Sequence, residues 1–548
     1  MKPASTVTGA TLSRASLLGL FALALALRWG SAWFASVDSP FWLALNVDDR
    51  AYHDWALRIA QGQWSDGQAF FLSPLYPYVL GGLYYLSGES RWMAVVLQCV
   101  LSAATVPILA SLGARLFGSR AGLLTGLLSA LYGPLIFFSE CLLSETLHLF
   151  LVCAGLLQLQ RASGSGHWRG GMLAGCLLGL AAVARAYFLA SGVLLGLWLF
   201  VSARRRSGAR ALPLGFALGF LLALAPSAIH NRRAGGDTVL VNASGGINFY
   251  LGNHVGANGR IHPPPGIPAE SLMNPDQMRA TFAARAQAQT GQTLGAGDLS
   301  SHYYSKGGRW IVRHPGDWFA LLGVKLRQVA EAFEYPGDRN AYQAQRWSPI
   351  LRWTPVGWTL VLALALGACV MPAARRKGVG LVHIVNGVGL AVLLAFLVTD
   401  RFRLVLLPGC LVLAGLGADG ILHASGQARR MGRAGRVLTL LSCAVSLSLG
   451  VGQAKESHIS HLNLALQHVR RGQLVRAEAS LRASIHLRPG FLRGHWNLAQ
   501  VLMRRGEPEE AEAEMGVARR LAREQGIPLG PGASQVGSGQ SPSSPPER

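Results

Sequence analysis

ASLLGLFALALALRWGSAWF (residues 15–34) and NVDDRAYHD (residues 46–54) are the two stretches from which the architecture of this chain follows. The first is an apolar run of the length that a helix needs to cross a bilayer. Lys2 and Arg14 precede it, and basic residues beside a span favour the cytoplasmic side. The acidic second stretch is therefore predicted to lie outside the membrane, shortly after the first span.

Apolar runs of similar length recur along most of the chain. Hydrophobic residues make up 51% of the sequence and charged residues only 14%, which is too apolar for one soluble globule. The architecture predicted for residues 1–455 is an all-α, polytopic membrane helical bundle of about 11–12 spans. Further spans are predicted near residues 92–112, 121–138, 141–160, 170–184, 186–203, 211–230, 350–371, 380–399, 404–420 and 437–453.

The net charge of +23 is carried largely by arginines at the ends of the predicted spans. Residues 70–88 decide the topology, because they are apolar but contain SPLYP at 73–77. If they do not cross the membrane, the basic loops fall on the cytoplasmic side and about eleven crossings remain. The N-terminus is then cytoplasmic and the C-terminus external, in a bacterial inner membrane. Nucleic-acid binding is not expected, because no soluble segment combines a basic face with interleaved aromatic residues.

Two long loops are predicted on the outer side, at residues 36–90 and 231–349. The second is rich in Gly, Pro, His and Asn and is expected to contain short helices near 275–290 and 299–333. Trp310 and Trp318 would anchor the later helix at the membrane surface.

The C-terminal part contains an internal repeat. Asn463-Leu464-Ala465 recurs 34 residues later as Asn497-Leu498-Ala499, a period that resembles tetratricopeptide repeats. Residues 456–525 are therefore predicted to form a helical unit that binds a protein partner, with a generic helical hairpin as the alternative. Residues 526–548, rich in Gly, Pro and Ser, are predicted to be disordered.

Three carboxylates lie within seven residues of the first outer loop: Asp48, Asp49 and Asp54. One interpretation is a solvated helix start, because acidic residues stabilise the dipole of a helix that would run from about 49 to 62. The other is a general base or a divalent-metal ligand at the membrane surface. The acidic stretch alone does not decide between them.

Several short motifs, in their order along the chain, resemble those of the C-type glycosyltransferases related to protein mannosyltransferases and aminoarabinose transferases. The first is Asp48-Asp49-x-x-Tyr52, which is followed by the Pro-rich segment 73–77. The segments FFSE at 137–140, SETL at 144–147 and GLAAVAR at 179–185 are similar as well, although alanine follows the arginine where proline is common. The resemblance covers most of residues 15–420.

The resemblance implies a polyprenyl-phosphate-linked sugar as donor and a hydroxyl of a protein, lipid or glycan as acceptor. It implies that Asp48 or Asp49 is the catalytic base of an inverting transfer and that Tyr52 contacts the substrate. Glu145 fits the family position better than Glu140 does. A divalent metal ion held by Asp49 and Glu145 is a further expectation, as is contact with membrane lipid.

Cations are needed to stabilise the phosphate leaving group of such a reaction. Arg185 lies between two short apolar segments, where an arginine is costly unless it is paired or bound to phosphate. Snorkelling, or a structural pair with Glu140 or Glu145, is the alternative. Arg401 and Arg403 fall on the predicted outer side, against the charge rule, and this favours a phosphate contact. A local pair with Asp400 is the alternative.

The large outer loop supplies three more candidate substrate-binding residues. Asn253 and His254 follow a Gly- and Asn-rich stretch that permits close approach of backbone to a ligand, although a plain surface turn explains it equally well. Lys325 lies on the predicted interfacial helix and is expected to meet lipid phosphate, with simple anchoring as the alternative.

Two other classes of function are alternatives to a glycosyltransferase. A secondary transporter would place ionisable residues at mid-bilayer and repeat one half of the chain in the other, and neither pattern is evident in the sequence. A non-catalytic scaffold that presents the repeats would leave the 231–349 loop unexplained. The sequence therefore favours the transferase.

Overall fold

The computed structural model describes residues 10–42, 45, 47–204, 211–236, 238–337, 339–422, 432–450 and 458–524. Throughout these ranges the regular structure is helical, apart from one isolated β-bridge between Tyr132 and Val356. The chain divides into two units, one formed by Met1–Val37 with Leu45–Gln453 and the other by Asp38–Ala44 with Ala454–Arg548.

The first unit contains twenty-one of the α-helices in the described residues. They are α1 (Arg14–Asp38), α2 (Val47–Ala60), α3 (Leu75–Ser87), α4 (Arg91–Phe117), α5 (Ser119–Ala130), α6 (Gly133–Phe138), α7 (Glu145–Ser165), α8 (Trp168–Ala184), α9 (Phe188–Arg204), α10 (Ala211–Gly235), α11 (Gly245–Leu251), α12 (Pro275–Thr290), α13 (Ala296–Arg313), α14 (Pro315–Ala330), α15 (Ala341–Ala344), α16 (Pro349–Trp353), α17 (Trp358–Cys369), α18 (Gly380–Ala395), α19 (Asp400–Arg403), α20 (Leu407–Leu422) and α21 (Arg433–Gly450).

The predicted all-α membrane bundle is confirmed. Within the described residues, four helices are long and apolar enough to cross a bilayer, and four shorter apolar helices accompany them. The long ones are Arg14–Asp38, Arg91–Phe117, Ala211–Gly235 and Asp400–Leu422, and the short ones are Trp168–Ala184, Phe188–Ala203, Trp358–Cys369 and Gly380–Ala395. The number of crossings, about eleven from the sequence, stays a prediction.

Two of the predicted spans are broken in the structure. The run 121–138 ends as a helix at Ala130 and restarts at Gly133, because Pro134 cannot donate a backbone hydrogen bond and begins a new helix instead. The Gly133 N–H turns away to donate to the Val356 carbonyl at 3.1 Å. The run 141–160 becomes helical only from Glu145. The first break leaves the last carbonyls of α5 without a partner within that helix, and the second makes Glu145 the first residue of α7.

Small residues allow α8 and α10 to pack at very close range. A Cβ added at Gly175 would lie 2.0 Å from the carbonyl oxygen of Phe216, and one at Gly219 would lie 2.0 Å from that of Met172. Such close backbone approach is the usual packing device of membrane helices, where lipid offers no hydrophobic driving force between them. The pairing fixes the end of α8, and therefore the position of Arg185, which directly follows that helix.

The helices observed in the two predicted outer loops, 36–90 and 231–349, match the predicted helix bounds in part. The acidic stretch forms α2, close to the predicted range, and residues 275–290 form α12 as predicted. The predicted helix 299–333 is instead two helices, α13 and α14, because Pro315 cannot continue the first. Residues 70–88 contain only α3, whose 13 residues are fewer than a full span needs.

The second unit contains two helix pairs: α22 (His458–Arg470) with α23 (Leu474–Leu487), and α24 (Leu492–Arg505) with α25 (Pro508–Glu524). The first helices of the two pairs begin 34 residues apart, at 458 and 492, and so do the second helices, at 474 and 508. Gly472 and Gly506 adopt positive φ at equivalent places in the two pairs. The assignment to tetratricopeptide repeats stays a prediction, and the predicted disordered tail 526–548 lies outside the described residues.

This unit also includes the segment that follows α1, which the sequence places in the first loop. Arg471 donates through Nη2 to the Ser39 carbonyl at 2.8 Å, and Trp42 is buried. The two units are therefore interleaved along the sequence, a difference from the predicted boundary at residue 455.

Candidate active site

The two adjacent aspartates of the first loop occupy the first turn of α2 but have different surroundings. The Asp48 side chain keeps 19% of its surface exposed, whereas that of Asp49 is completely buried. Consecutive residues of a helix point in directions about 100° apart, so one can face an opening while the other faces the protein. The structure thus distinguishes two carboxylates that the sequence leaves equivalent.

Asp48 begins a chain of alternating charges. Its Oδ2 accepts a hydrogen bond at 2.7 Å from Nη1 of Arg401, which belongs to α19. Nε of Arg401 donates to Oε1 of Glu145, the first residue of α7, and Arg185 forms an ion pair with the same carboxylate oxygen. Four of the candidate residues named from the sequence, drawn from four different segments, are therefore in direct contact.

Each residue in this row of alternating charges lies at the end of a helix or in a short helix. Glu145 benefits from the positive end of the α7 dipole. Arg185 has extended backbone, φ −149° and ψ 104°, in the break between α8 and α9. Nε of Arg185 and Oε2 of Glu145 are buried and have no hydrogen-bond partner among the described residues. A donor and an acceptor are therefore available to a ligand in the same small region.

Asp49 is held by Arg339, which was not among the residues predicted from the sequence. Arg339 donates to Oδ2 of Asp49 through Nε at 2.7 Å and also through Nη2. The two residues are 290 positions apart, so no local pattern connects them. The predicted outer loop 231–349 holds many basic residues and is too long for the charge rule to apply, so the sequence offered no signal that distinguishes Arg339.

Tyr52 lies beneath the aspartates on the next turn of α2. Its ring is buried and meets Tyr76 edge-on, with the ring centroids 5.4 Å apart. Burial raises the pKa of Tyr52, an effect that the charge of Arg185 opposes and that of Asp48 reinforces. The phenol therefore stays protonated at neutral pH and can act only as a hydrogen-bonding and packing group.

The two glutamates that the sequence left open have separate surroundings. Glu145 pairs with two arginines, whereas Glu140 is buried with Oε1 unpartnered among the described residues. Burial raises the pKa of Glu140 to about 8, with Ser31 and Arg91 opposing the shift. Glu145 is therefore the carboxylate that joins the charge chain, as the family position suggested.

Arg403, two residues after Arg401, is directed elsewhere. It donates to the carbonyls of Glu331 at 2.8 Å and Phe333 at 2.7 Å, just after α14, and it pairs with the Glu334 side chain. Its guanidinium also lies 5.4 Å from the centre of the Trp358 ring. These contacts favour a structural role, and the proposed phosphate contact of Arg403 stays a prediction.

Asn253 and Lys325 form a second group, which is separate from the carboxylates, whereas His254 contacts Tyr250 and His262 instead. The Asn253 amide donates to the Ala395 carbonyl at 2.7 Å, and Lys325 donates to the Leu394 carbonyl at 2.9 Å. The Lys325 side chain is fully buried, and burial lowers its pKa to about 7. The structure differs here from the sequence, which predicted a lysine at the surface in contact with lipid phosphate.

The two proposed metal ligands are each paired with arginine. Asp49 pairs with Arg339 and Glu145 with Arg185 and Arg401, so each carboxylate is already neutralised by guanidinium. Among the described residues, no group of three or more potential ligands has the geometry to hold an ion. A metal held by Asp49 and Glu145 stays a prediction, and the residues present do not fit it well.

Comparison with known protein families supports the predicted class of membrane glycosyltransferase. Residues 72–230 match the family model of dolichyl-phosphate-mannose-protein mannosyltransferases. This segment includes Glu145 and Arg185 and leaves out the aspartates and Arg401. The match confirms the resemblance inferred from the motifs over that segment, and it supports a membrane glycosyltransferase of the C type.

Two solved structures are similar to the chain. One is ArnT from Cupriavidus metallidurans bound to undecaprenyl phosphate, at 14% identity and a TM-score of 0.43, covering 93% of this chain and 76% of that one. The other is the apo oligosaccharyltransferase of Archaeoglobus fulgidus, at 13% identity and a TM-score of 0.40, covering 79% of this chain and 54% of that one. At these values neither supports a residue-by-residue assignment. Among curated proteins, none matches the chain.

Proposed function

We propose that this protein transfers a sugar from a polyprenyl-phosphate donor to a hydroxyl group of a protein, lipid or glycan, at the outer face of the membrane. The observation that carries the proposal is the contact of Asp48 with Arg401, within a cluster that also holds Glu145 and Arg185. A partly exposed carboxylate beside clustered guanidinium groups is what proton removal and phosphate departure require together.

In the proposed reaction the acceptor oxygen attacks the anomeric carbon of the donor sugar. The acceptor proton passes to the Asp48 carboxylate, the bond between the anomeric carbon and the phosphate oxygen breaks, and its electron pair leaves with the polyprenyl phosphate. A single displacement of this kind inverts the anomeric centre. No step requires a metal ion, because the growing charge of the phosphate can be met by arginine.

Arg185 and Arg401 are the residues proposed to stabilise the leaving phosphate. Each is pre-positioned by Glu145, so neither has to be reorganised when charge develops. Arginine suits this task because its planar fork of donors matches the oxygens of a phosphate. The unpartnered Nε of Arg185 offers such a donor without breaking an existing hydrogen bond.

Asp48 is proposed as the base in preference to Asp49. Its carboxylate is partly exposed and accepts from Arg401, whereas Asp49 is buried and bound twice by Arg339. A base must reach the acceptor proton to within hydrogen-bond distance, and the exposed part of the Asp48 carboxylate offers that access. Asp49 is therefore proposed as a positioning residue that fixes the start of α2.

The test compares three Asp→Asn variants of the same helix. Asp54→Asn is the matched control, because Asp54 is 49% exposed and pairs with Arg50, at 3.6 Å, rather than with a residue of the cluster. Release of sugar from a radiolabelled polyprenyl-phosphate-sugar donor is measured in membranes with equal amounts of folded protein. We expect Asp48→Asn to lower turnover by about 10²- to 10⁴-fold, the usual contribution of a general base, and Asp54→Asn to leave it unchanged.

The Asp49→Asn variant separates positioning from catalysis. It leaves the Asp48 carboxylate in place, so we expect a smaller loss of turnover together with a lower thermal stability of the purified protein. If Asp48→Asn turned over donor as fast as Asp54→Asn does, the assignment of the base would be wrong.

A further inference from the structure

A cavity of about 310 Å³ lies in the large loop region, on the helices α11 and α13. It belongs to neither the Asp48 cluster nor the buried pair of Lys325 and Asn253. Its wall is formed in part by three cations, two aromatic rings and one buried histidine: Lys306, Arg309, Arg313, Tyr250, Trp310 and His254. We refer to it as the cationic cavity.

The three cations share one face of α13. They are spaced three and four residues apart, which brings side chains to the same side of a helix. None of them forms an ion pair with a carboxylate among the described residues. Lys306 donates to the Gln289 side chain at 3.3 Å and lies 4.9 Å from the centre of the Tyr250 ring. Arg309 donates to the Ser305 carbonyl of its own helix, at 3.3 Å.

The local charge is therefore positive and unbalanced. Burial lowers the pKa of Lys306, and the charges of Arg285 and Arg309 lower it further. Burial also lowers the pKa of His302, and the charges of Lys306 and Arg309 lower it further. Like charges held close together are unfavourable unless an anion joins them, so this cluster is suited to an anionic ligand.

His254 adds a different kind of group to the same cavity. Its side chain is almost completely buried, and Nδ1 donates to the Val255 carbonyl at 2.7 Å. Nε2 has no hydrogen-bond partner among the described residues. When Nδ1 carries the proton, Nε2 is an acceptor, and its partner would have to be a donor such as a hydroxyl group.

We propose that the cationic cavity binds a phosphate group carried beside a hydroxyl group, as in a lipid headgroup or a soluble sugar or polyol phosphate. Arg309 and Arg313 take the phosphate oxygens, and Nε2 of His254 accepts from the neighbouring hydroxyl. The site is separate from the proposed transfer reaction and does not depend on it.

The surroundings of the cavity favour a lipid as the source of the phosphate. Val312 and Phe319, on either side of the junction between α13 and α14, are 80% and 65% exposed. Apolar side chains beside arginines are typical of helices that lie in the membrane interface, at the depth of the headgroups. The cavity opens beside this junction, since His314 is also part of its wall.

The test uses the full-length protein in phosphatidylcholine nanodiscs, with bound lipid counted by native mass spectrometry. Phosphatidylglycerol and phosphatidylserine are the two probes, because both carry one net negative charge and only the first has glycerol hydroxyls in its headgroup. We expect phosphatidylglycerol to bind more tightly. The double variant Arg309→Gln, Arg313→Gln should weaken its binding by about tenfold or more, since charge-assisted hydrogen bonds are lost.

Three further variants separate what the arginines, His254 and the transfer site each contribute to lipid binding. Arg279→Gln is the matched control, because Arg279 also lies on a helix of the large loop but contacts Gln68 rather than the cavity. It should bind as the wild type does. His254→Leu should remove the preference for phosphatidylglycerol over phosphatidylserine. Asp48→Asn should keep full lipid binding, so failure of this proposal is distinguishable from failure of the proposed transferase.

Competition with glycerol phosphate identifies the source of the ligand. If it displaces the lipid, the cavity takes a soluble phosphate as well; if it does not, the site takes the phosphate only as part of a lipid. Unchanged binding by the double arginine variant would overturn the proposal. The proposal would also be overturned if Arg279→Gln weakened the binding of both lipids as much as the double variant does. Binding would then depend on surface charge alone.

Discussion

Arg28 and Arg185 are both arginines within the helical bundle, but their surroundings differ in kind. Arg28 is completely buried in α1 and makes four hydrogen bonds: to the Ser102 hydroxyl at 2.7 Å and to the carbonyls of Ala24, Ala130 and Ser129 at 3.0, 3.3 and 3.4 Å. All four acceptors are neutral. Arg185 instead pairs with a carboxylate and keeps a buried Nε without a partner among the described residues.

The difference separates an arginine with a structural role from one that is proposed to bind the substrate phosphate. The carbonyls of Ser129 and Ala130 belong to the last turn of α5 and have no acceptor role within that helix, so Arg28 caps the helix where it breaks. Its donors are directed at protein atoms and leave little for a ligand. Of these two arginines, only Arg185 keeps a buried donor that a ligand could use.

The largest effect that this comparison predicts is on catalysis by Arg185. Arg185→Gln keeps a polar side chain but removes the charge that is proposed to meet the leaving phosphate. We expect turnover to fall by about 10²- to 10³-fold, as when one stabilising donor is removed from a transition state. The measurement is kcat and KM for a polyprenyl-phosphate-sugar donor in purified protein.

The control for that experiment is Arg185→Lys, which restores the charge without the planar fork and should recover only part of the rate. Thermal unfolding of each variant shows whether the loss reflects misfolding. Equal kcat for Arg185→Gln and the wild type would remove Arg185 from the proposed mechanism and place it with Arg28.

The second prediction concerns Arg28 and is about stability. Arg28→Met fits a similar volume but leaves the last carbonyls of α5 without their donor. We expect the free energy of unfolding to fall by about 2 to 3 kcal/mol, the cost of leaving buried polar groups unsatisfied. Turnover per folded molecule should stay unchanged, because no donor of Arg28 is proposed to meet substrate.

The measurement pairs denaturant unfolding in detergent with a turnover assay at a temperature where both proteins are folded. A fall in turnover without a loss of stability would mean that Arg28 belongs with the catalytic arginines.

The sequence predicted the members of the charge chain better than it predicted their geometry. Four of its members could be predicted as site residues: Asp48, Glu145, Arg185 and Arg401. The order of the motifs and the exceptions to the charge rule can both be read locally in the sequence. The partner of Asp49 could not be predicted, since Arg339 is 290 residues away. Nor could the sequence separate Asp48 from Asp49, because their difference is one of burial and arises only when α2 packs against the bundle.

Helix breaks were hidden for a similar reason. A hydropathy profile records residues 121–138 as one apolar run, and it does not register that Pro134 restarts the helix or that Arg28 caps α5. The position of Lys325 was also missed. The amphipathic pattern placed this residue at the surface, whereas the break at Pro315 frees α14 to turn the lysine inward, where it meets Leu394.

The smallest predicted effect comes from this lysine, which is a third kind of buried cation. Burial lowers the pKa of Lys325 to about 7 from its usual 10.5, so the folded protein disfavours the charged form. Between those two pH values the unfolded chain binds the proton and the folded protein does not. Stability contributed at this position is therefore present at high pH and is lost as pH falls towards 7.

Lys325→Met should abolish this dependence, so that the wild type gains roughly 1 kcal/mol relative to the variant between pH 7.5 and 8.5. Denaturant unfolding of both proteins at the two pH values measures it, and parallel stabilities would show that the lysine is charged in the fold and held by its carbonyl contact instead.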